Sequence, residues 1–283
     1  MSSRLLAKLR EALAGDSPEE SGVIFESDSQ HHHITIRDEA GRRTMYFGPT
    51  GEEAETAIDL TDPDSAVFEY PGMMLAALPL GPAGRRIALI GLGGGLLPGL
   101  FQRHLPDYEL TVVELDPLVA ELAGIYFGFA PGGRVRLVIG DGRDFLDGQM
   151  EGAFDQIWLD AFSGDYVPQQ LTGLTFLKVC RRCLAPGGLL VQNLHQSRSQ
   201  VFHRQLQTTL AVWGEFLAFD GQRSGNAIVI SKMPGGQPGP VWKKSALKAA
   251  ASRFGRRVGP YDLVEEMGKI KKFIPEPGTR VIE

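Results

Sequence analysis

A glycine cluster after an apolar run is the first place in this sequence where residue types could do chemistry. In the segment RRIALIGLGGGLLPGLF, residues 85–101, four glycines lie within five residues; they are Gly91, Gly93, Gly94 and Gly95. Glycine lets a backbone turn tightly and approach a ligand closely. A plain tight turn would have the same composition, so the pattern needs support from other residues.

Two acidic residues stand at the ends of the next two apolar segments. Glu114 lies in VVELD, about 20 residues beyond the glycines, where an acid commonly hydrogen-bonds ribose hydroxyls. Asp141 lies in VIGDG and can accept a hydrogen bond from the exocyclic amine of adenine. Ligands of open α/β sheets bind at the carboxyl ends of the strands. The three features together therefore predict a nucleoside site.

Strands that alternate with helices must position these residues. From Arg85 to Lys232, apolar strand-like runs alternate with amphipathic helical segments, which is typical of βαβ units. The predicted fold class is α/β, with a doubly wound, mostly parallel Rossmann-like sheet. Two consecutive strands, GEFLAFD and NAIVISK, predict an antiparallel hairpin at one edge of that sheet. Short strands between residues 22 and 60 predict a small N-terminal antiparallel β unit.

Three segments follow from these patterns. Residues 1–60 are predicted to hold an N-terminal helix and the small β-sheet, and residues 61–232 the Rossmann-like nucleoside-binding domain. Residues 233–283 are predicted to be a linker, marked by PGGQPGPV, and a basic C-terminal extension. The extension could bind an acidic partner or form a solvated helix.

The bulk composition argues against several classes of protein. The chain has 283 residues, 43% of them hydrophobic, and a net charge of −5. No apolar run approaches the roughly 20 residues that cross a bilayer. The N-terminus lacks the features of a secretory signal. We therefore expect a cytoplasmic protein without a membrane partner, and the acidic body argues against nucleic acid as a partner.

Two groups of side chains resemble metal sites without completing one. Cys180 and Cys183 form a C-x-x-C pair late in an amphipathic helix, and no second cysteine pair supplies further soft ligands. His31, His32 and His33 adjoin a predicted strand, where alternate side chains point to opposite faces. We expect no metal, and we expect the histidines to line a substrate pocket or the surface.

The helix after the glycines helps to distinguish a dinucleotide ligand from other nucleosides. A dinucleotide site places its pyrophosphate at a helix N-terminus. Here the helix begins Leu-Leu-Pro-Gly after Gly95 and offers no polar anchor. The terminal antiparallel strand pair also differs from a dinucleotide fold. It resembles the class I S-adenosylmethionine-dependent transferase fold.

Over residues 22–232 the sequence resembles the spermidine synthase family, the polyamine aminopropyltransferases. The matching pieces are IGLGGGLL, VVELDP, IGDGRDFL, FDQIWLDAFSGDYVP and CLAPGGLLVQNL. The resemblance is closest to divergent bacterial members whose glycine turn reads G-L-G-G-G. It implies decarboxylated S-adenosylmethionine, or S-adenosylmethionine itself, as co-substrate, a small-molecule amine or other nucleophile as acceptor, and a homo-oligomer, commonly a dimer.

The resemblance also implies roles for individual residues. Glu114 would hold the ribose, and Asp141 the adenine. Gly142 matches the small residue that follows the adenine-binding acid in the family. Asp160 matches the first acid of a D-S-S-D-P-type motif, which is thought to bind or deprotonate the attacking amine.

Several departures from the family pattern concern the amine-binding acids. Gly94 stands where the family turn has an aspartate that contacts the donor's amine, and Ser163 where it has the second acid of the D-S-S-D-P motif. The family's Y-H-E reads Tyr70-Pro71-Gly72. Its N-terminal glutamine falls at or near His32, within the histidine run that begins with His31.

These departures predict a changed acceptor site. Burying two ammonium groups requires paired carboxylates, because an unpaired buried charge is costly. A turn without charge removes one such partner, so putrescine is not the expected acceptor. Asp165, Asp160 and Tyr166 are candidate replacements, and the predicted catalytic residues are Asp160 and Asp165. The substrate-binding candidates are His31, His32, Tyr70, Ser163 and Tyr166.

Three functions remain open at this point. The first is aminopropyl transfer from decarboxylated S-adenosylmethionine to an amine, as the resemblance implies. The second is methyl transfer from S-adenosylmethionine, which the lost acids allow. The third is a non-catalytic nucleoside-binding protein, against which the retained Asp160 counts.

Overall fold

The computed structural model describes residues 22–48, 53–65, 67–161, 169–196, 199–221, 225–233 and 244–273. The helix predicted within residues 1–15 lies outside these ranges, as does the linker PGGQPGPV. Three of the candidate site residues also lie outside them; they are Ser163, Asp165 and Tyr166.

A small antiparallel sheet opens the described chain. Its four strands pair in chain order: β1 (Gly22–Asp28), β2 (His33–Glu39), β3 (Arg42–Phe47) and β4 (Glu53–Asp59). Between β2 and β3, Ala40 and Gly41 both have positive φ, 50° and 75°, as a two-residue hairpin turn with the right twist requires. The predicted N-terminal β unit is present, with β4 as a strand that its polar sequence EAETAID did not predict.

The large sheet has eight strands. Those added by the rest of the chain are β5 (Arg86–Ile90), β6 (Glu109–Glu114), β7 (Val135–Ile139), β8 (Phe154–Leu159), β9 (Leu184–His195), β10 (Phe216–Asp220), β11 (Asn226–Lys232) and β14 (Ile270–Phe273). Their order is β14-β10-β11-β9-β8-β5-β6-β7. The pairs β8–β9, β5–β8, β5–β6 and β6–β7 are parallel, whereas β11 pairs antiparallel with β9 and β10. This mostly parallel sheet confirms the predicted α/β class.

Helices connect these strands, as the alternating pattern predicted. They are α1 (Tyr70–Leu75), α2 (Leu96–His104), α3 (Pro117–Phe127), α4 (Gly142–Asp147), α5 (Leu174–Cys183), α6 (Ser199–Trp213), α7 (Lys244–Phe254) and α8 (Leu263–Glu266). Short 3-10 turns occur at Leu78–Leu80, Gln169–Leu171 and Met267–Lys269. Pro71 lies in the first turn of α1, where a missing backbone N–H costs no helical hydrogen bond. Among the described residues, no helix combines the length and the apolar character needed to cross a bilayer.

The basic C-terminal segment packs into the body of the protein. Its apolar residues are buried in the same core as the strands of the large sheet; they are Leu247, Ala251, Val258, Leu263 and Met267. A two-stranded ribbon of β12 (Arg257–Val258) and β13 (Tyr261–Asp262) precedes α8. Strand β14 then pairs antiparallel with β10. The predicted β10–β11 hairpin is present, but β14 rather than the hairpin forms the edge of the sheet.

Helix α3 joins the small sheet to the large one. Val119, Leu122 and Tyr126 pack with apolar residues of β1, β2 and β3. On another face of α3, Ala123 belongs to the core of the large sheet. The side chain of Asp116 caps α3 by accepting from the Leu118 N–H at 2.9 Å.

Candidate functional site

The carboxyl ends of adjacent strands bring the predicted acids beside the glycine turn. Strand β5 lies between β6 and β8, so its turn is flanked on one side by Glu114 and on the other by Asp160. The Gly91 N–H donates to the Val113 carbonyl at 2.8 Å. The Asp160 N–H donates to the Ile90 carbonyl, also at 2.8 Å. These two bonds extend the sheet into the turn and fix where the acidic side chains begin.

Gly91 is required by the geometry of this turn. Its φ is +102°, which L side chains rarely adopt. A Cβ at this position would overlap the carbonyl oxygen of Asp160. The turn therefore needs glycine both for its backbone conformation and for its approach to the strand that carries the candidate catalytic acid.

Gly93, Gly94 and Gly95 have different surroundings. Gly93 and Gly95 have positive φ, 53° and 81°. A Cβ at Gly94 would lie 2.7 Å from the Thr56 Cγ2 and 2.9 Å from the Phe127 Cδ1. Thr56 is a buried residue of β4, so the small sheet closes over the glycine turn. The space beside Gly94 is filled by these two side chains.

Glu114 fastens the glycine turn to the end of β6. Its Oε2 accepts from the Leu92 N–H and its Oε1 from the Asp116 N–H, both at 2.9 Å. The residue is 7% exposed. Burial raises the pKa of this carboxyl from 4.5 to about 7, although the two backbone N–H groups oppose the shift. Glu114 therefore changes charge near neutral pH in the ligand-free protein.

Asp141 begins α4 at the end of β7. Its Oδ1 accepts from the Arg143 N–H at 2.7 Å and from the Asp144 N–H at 3.1 Å. Both capping bonds fall on the same oxygen, so the carboxylate can cap the helix and still present Oδ2 to a ligand. A Cβ at Gly142 would overlap Ile90, which keeps α4 close to the glycine turn.

Two apolar side chains next to these acids are exposed. Leu115 directly follows Glu114 and is 38% exposed, and Ile139 is 48% exposed. Glu114 and Ile139 are register partners on β6 and β7, so both apolar side chains lie at the same strand ends as the acids. Together with Asp141 they offer a flat purine both apolar contact and a hydrogen-bond acceptor. Neither residue was predicted from the sequence, although each stands within two residues of a predicted acid.

Asp160 lies in a polar corner between β8 and β9. The Asn193 Nδ2 donates to its Oδ1 at 2.8 Å. Burial raises the pKa of the carboxyl from 3.8 to about 6, and the bond from Asn193 opposes that rise. Tyr70, at the start of α1, has a pKa well above its usual value through burial and through the negative charges of Asp160 and Glu55. A carboxylate and a phenol thus stand near each other beside the glycine turn.

Of the predicted histidines, His31 and His32 lie in the β1–β2 connection and His33 begins β2. Ser29 accepts from the His32 N–H at 2.8 Å and from the His31 N–H at 3.0 Å. Its hydroxyl also donates to the Asp116 carboxylate, which ties this connection to α3. The His32 ring stacks on Phe47 with centroids 4.2 Å apart, and burial lowers its pKa, whereas His31 is exposed.

One group of predicted site residues thus lies close together in the structure, and the others lie elsewhere. The glycines, Glu114, Asp141, Gly142, Asp160 and Tyr70 meet at the ends of four adjacent strands and the start of α1. His32 reaches this group through Ser29 and Asp116, and His31 faces solvent. Cys180 and Cys183 are buried in α5, and the Cys183 thiol donates to the Leu146 carbonyl at 3.2 Å. In the described part of the chain, no group of three or more potential ligands could hold a metal ion.

The chain is similar in sequence to known polyamine aminopropyltransferases. A family model described as the spermine/spermidine synthase domain matches residues 69–248. A polyamine aminopropyltransferase of Vibrio vulnificus is 34% identical over 235 residues, which cover 81% of this chain and 78% of that protein.

Solved structures with the same fold include two kinds of transferase. A spermidine synthase in complex with the transition state analogue AdoDATO superposes with a TM-score of 0.69 and 18% identity, covering 87% of this chain and 84% of that one. Human methyltransferase-like protein 13 in complex with SAH superposes with a TM-score of 0.60 and 23% identity, covering 76% and 97%. These matches confirm the expected fold of class I methyltransferase type.

Proposed function

This chain belongs to the spermine/spermidine synthase family and is a transferase, and we propose that it moves an aminopropyl group from decarboxylated S-adenosylmethionine to an amine through a changed acceptor site. The observation that carries the proposal is the position of Asp160 and Tyr70 beside a glycine turn flanked by Glu114. A carboxylate and a phenol can orient an amine there, while the donor occupies the strand ends.

The donor half of the site uses the acids at β6 and β7. Glu114 accepts from the ribose hydroxyls, and the free oxygen of Asp141 accepts from the adenine amine. Leu115 and Ile139, exposed beside them, contact the faces of the purine. The sulfonium end of the donor then lies at the glycine turn, between these acids and Asp160.

The reaction is a nucleophilic substitution at carbon. The lone pair of a neutral amine forms a bond to the aminopropyl carbon attached to sulfur, and the carbon–sulfur bond breaks with its electron pair left on sulfur. The leaving group is the neutral thioether methylthioadenosine. The new ammonium loses a proton to Asp160 and from there to solvent. Because the sulfonium leaves readily, the protein contributes mainly alignment of nitrogen and carbon.

The site differs from the family pattern at two positions where the family has an acid, Gly94 and Ser163. Gly94 provides no charge, and Thr56 and Phe127 occupy the space beside it. Two carboxylates of the described chain, Asp160 and Glu55, act on Tyr70 at the proposed acceptor position. The proposed acceptor end therefore keeps two carboxylates for an amine or a diamine, and the lost charges lie at Gly94, on the donor side, and at Ser163.

Methyl transfer from S-adenosylmethionine is the second candidate. An uncharged turn at Gly94 removes a repulsion against the carboxylate of S-adenosylmethionine, which an aspartate would impose. The similarity to a methyltransferase structure bound to SAH is compatible with this alternative at the level of the fold.

Calorimetric titration with three nucleosides distinguishes the candidates. We expect decarboxylated S-adenosylmethionine and methylthioadenosine to bind more tightly than S-adenosylmethionine. Preference for S-adenosylmethionine would instead support methyl transfer, and binding of none would rule out both.

The acceptor is then found by incubating the protein with decarboxylated S-adenosylmethionine and a panel of mono- and diamines, with methylthioadenosine release as the signal. Asp160→Asn should bind donor nearly as well as the wild type and lose most transfer, because the amide cannot accept the proton. Unchanged transfer by this variant would remove Asp160 from the mechanism.

A further inference from the structure

Two buried asparagines link Asp160, at the end of β8, to β11, the second strand along the sheet. The Asn193 Nδ2 donates to the Asp160 Oδ1 at 2.8 Å, and the Asn226 Nδ2 donates to the Asn193 Oδ1 at 3.0 Å. Asn193 is 1% exposed and Asn226 9% exposed. Asp160 directly follows β8, and Asn193 and Asn226 lie on β9 and β11. These strands are neighbours in the sheet, so the bonds run across the strands in a single row.

The register of β9 and β11 explains why these side chains meet. Asn226 is the partner of His195, and Asn193 lies two residues before His195 on the same strand. Diagonal neighbours of this kind share one face of a sheet. Gln192, next in sequence, points to the other face and donates to the Thr209 hydroxyl of α6 at 3.1 Å. Only alternate residues of β9 can therefore join the row.

The charge of Asp160 dictates the direction of every bond in the row. An ionised carboxylate can only accept, so Asn193 must present its amide NH₂ to Asp160. Its carbonyl oxygen then faces Asn226, which must in turn present its own NH₂. If the Asn193 amide flipped while Asn226 stayed in place, its NH₂ would face the Asn226 NH₂, and its carbonyl oxygen would face the Asp160 carboxylate. Neither pair could form a hydrogen bond.

We propose that Asn193 and Asn226 are positioning residues that hold the Asp160 carboxylate ionised and in one orientation for the attacking amine. The inference rests on the proposed role of Asp160 and extends it to a residue on β11 that touches neither Asp160 nor the glycine turn. Asn193 acts directly, and Asn226 acts through Asn193 by preventing its amide from flipping.

The electrostatics of the corner explain why such a row is needed. Burial alone disfavours the charged form of Asp160 and raises its pKa, and the bond from Asn193 opposes that rise. Tyr70 of α1 lies within electrostatic range of the same carboxylate, and the negative charges of Asp160 and of Glu55 on β4 both raise the pKa of its phenol. A neutral Tyr70 adds no charge to stabilise Asp160, so the amide row provides the stabilising dipole.

The test measures the titration of Asp160 directly. Protein labelled with ¹³C at the aspartate carboxyl carbons is titrated by NMR, and the Asp160 signal is assigned from its absence in Asp160→Asn. Asn193→Leu should raise the pKa of Asp160 by about one pH unit, the effect of losing one hydrogen bond to the charged form. Asn226→Leu should raise it by about half as much.

Thr209→Val is the matched control. It removes the hydroxyl that accepts from the Gln192 side chain. Gln192 is the residue next to Asn193, so the variant removes a buried hydrogen bond of β9 and leaves the row intact. It should leave the pKa of Asp160 unchanged. If Asn226→Leu does not fold, the smaller Asn226→Val removes the same donor and serves in its place.

Activity gives a second, separate measurement. The acidic limb of the pH–rate profile for aminopropyl transfer should move with the pKa of Asp160, so that at pH 6 the rate relative to its plateau falls about fivefold in Asn193→Leu and about twofold in Asn226→Leu. An Asp160 titration in Asn226→Leu equal to that in Thr209→Val would overturn the proposal. If the NMR shifts appear but no variant or wild-type protein transfers aminopropyl groups, the row stands and the proposed function fails.

Discussion

The backbone N–H of Leu92 donates to the carboxylate of Glu114 across 2.9 Å, so a side chain on β6 holds the turn after β5 in place. The other oxygen of the same carboxylate accepts from the Asp116 N–H. One buried acid thus fixes both the glycine turn and the entry to α3. This double role has consequences for stability as well as for binding.

Glu114 should make the ligand-free protein less stable as the pH rises. Its folded pKa is raised to about 7 from an unfolded value of 4.5, so the native state binds the proton more tightly than the unfolded chain does. The stabilising effect is fully present below pH 4.5 and is lost as the pH rises through 7. Over that range it amounts to about 3 kcal/mol. Asp160, with a pKa of about 6, acts in the same direction.

Urea unfolding of the wild type and Glu114→Gln between pH 5 and pH 8 isolates this contribution. The variant cannot titrate at this position, so its unfolding free energy should fall less steeply with pH. Two curves that remain parallel over the whole range would show that Glu114 does not titrate there.

Nucleoside binding should release protons near neutral pH. Ribose hydroxyls that donate to the Glu114 carboxylate favour its charged form and lower its pKa from about 7. Binding of methylthioadenosine at pH 7 should therefore release up to about half a proton, and affinity should rise between pH 6 and pH 8. Calorimetry in buffers of different ionisation enthalpy measures the release. Adenine alone lacks the ribose and should release none; equal release by adenine would place the titrating group elsewhere.

Gly91→Ala should be far more damaging than Gly128→Ala. Both glycines have positive φ, +102° and +72°, so each alanine carries a conformational cost of about 1–2 kcal/mol. A Cβ at Gly128 meets nothing within 4 Å, whereas one at Gly91 overlaps the Asp160 carbonyl. Gly91→Ala should therefore lose about 1–3 kcal/mol more than Gly128→Ala in urea unfolding. Equal losses would mean that the turn can move away from β8.

Restoring an acid at position 94 should require a second substitution. In Gly94→Asp the new Cβ lies 2.7 Å from the Thr56 Cγ2, so we expect a loss of about 1–3 kcal/mol from overpacking. Thr56→Ser removes that methyl group, and the double variant should recover part of the loss in urea unfolding.

The same double variant tests the role of charge in donor choice. A carboxylate at position 94 attracts the donor's amine and repels the carboxylate of S-adenosylmethionine. Calorimetry should show the ratio of the two affinities shifting toward the decarboxylated donor. An unchanged ratio would indicate that the glycine turn does not contact that end of the donor.

Local sequence patterns were sufficient to predict the site residues that lie at strand ends. Glu114 and Asp141 each follow an apolar run, and a parallel sheet necessarily collects such residues at one edge. Gly91 was predictable because a turn directly after a buried strand needs backbone freedom. In each of these cases, the chemistry and the element that positions it lie within a few residues of one another.

Partners distant in sequence were not predictable in this way. Thr56 closes on Gly94 from another sheet, and Asn226 reaches Asn193 only through the register of β11 against β9. Strand β14, with the sequence IKKF, has no periodic pattern and forms because β10 presents an unpaired edge. These contacts depend on tertiary packing, which short-range periodicity does not encode.

Helix α3 has one face in the core of the small sheet and another in the core of the large sheet. For protein engineering, this shared helix means that the small sheet cannot be removed as an independent unit. Removing residues 22–59 would leave Val119, Leu122 and Tyr126 uncovered and would unfasten Asp116 from Ser29, directly beside the donor site. A transferase domain without the small sheet would need polar residues on the exposed side of α3 before it could fold as a separate unit.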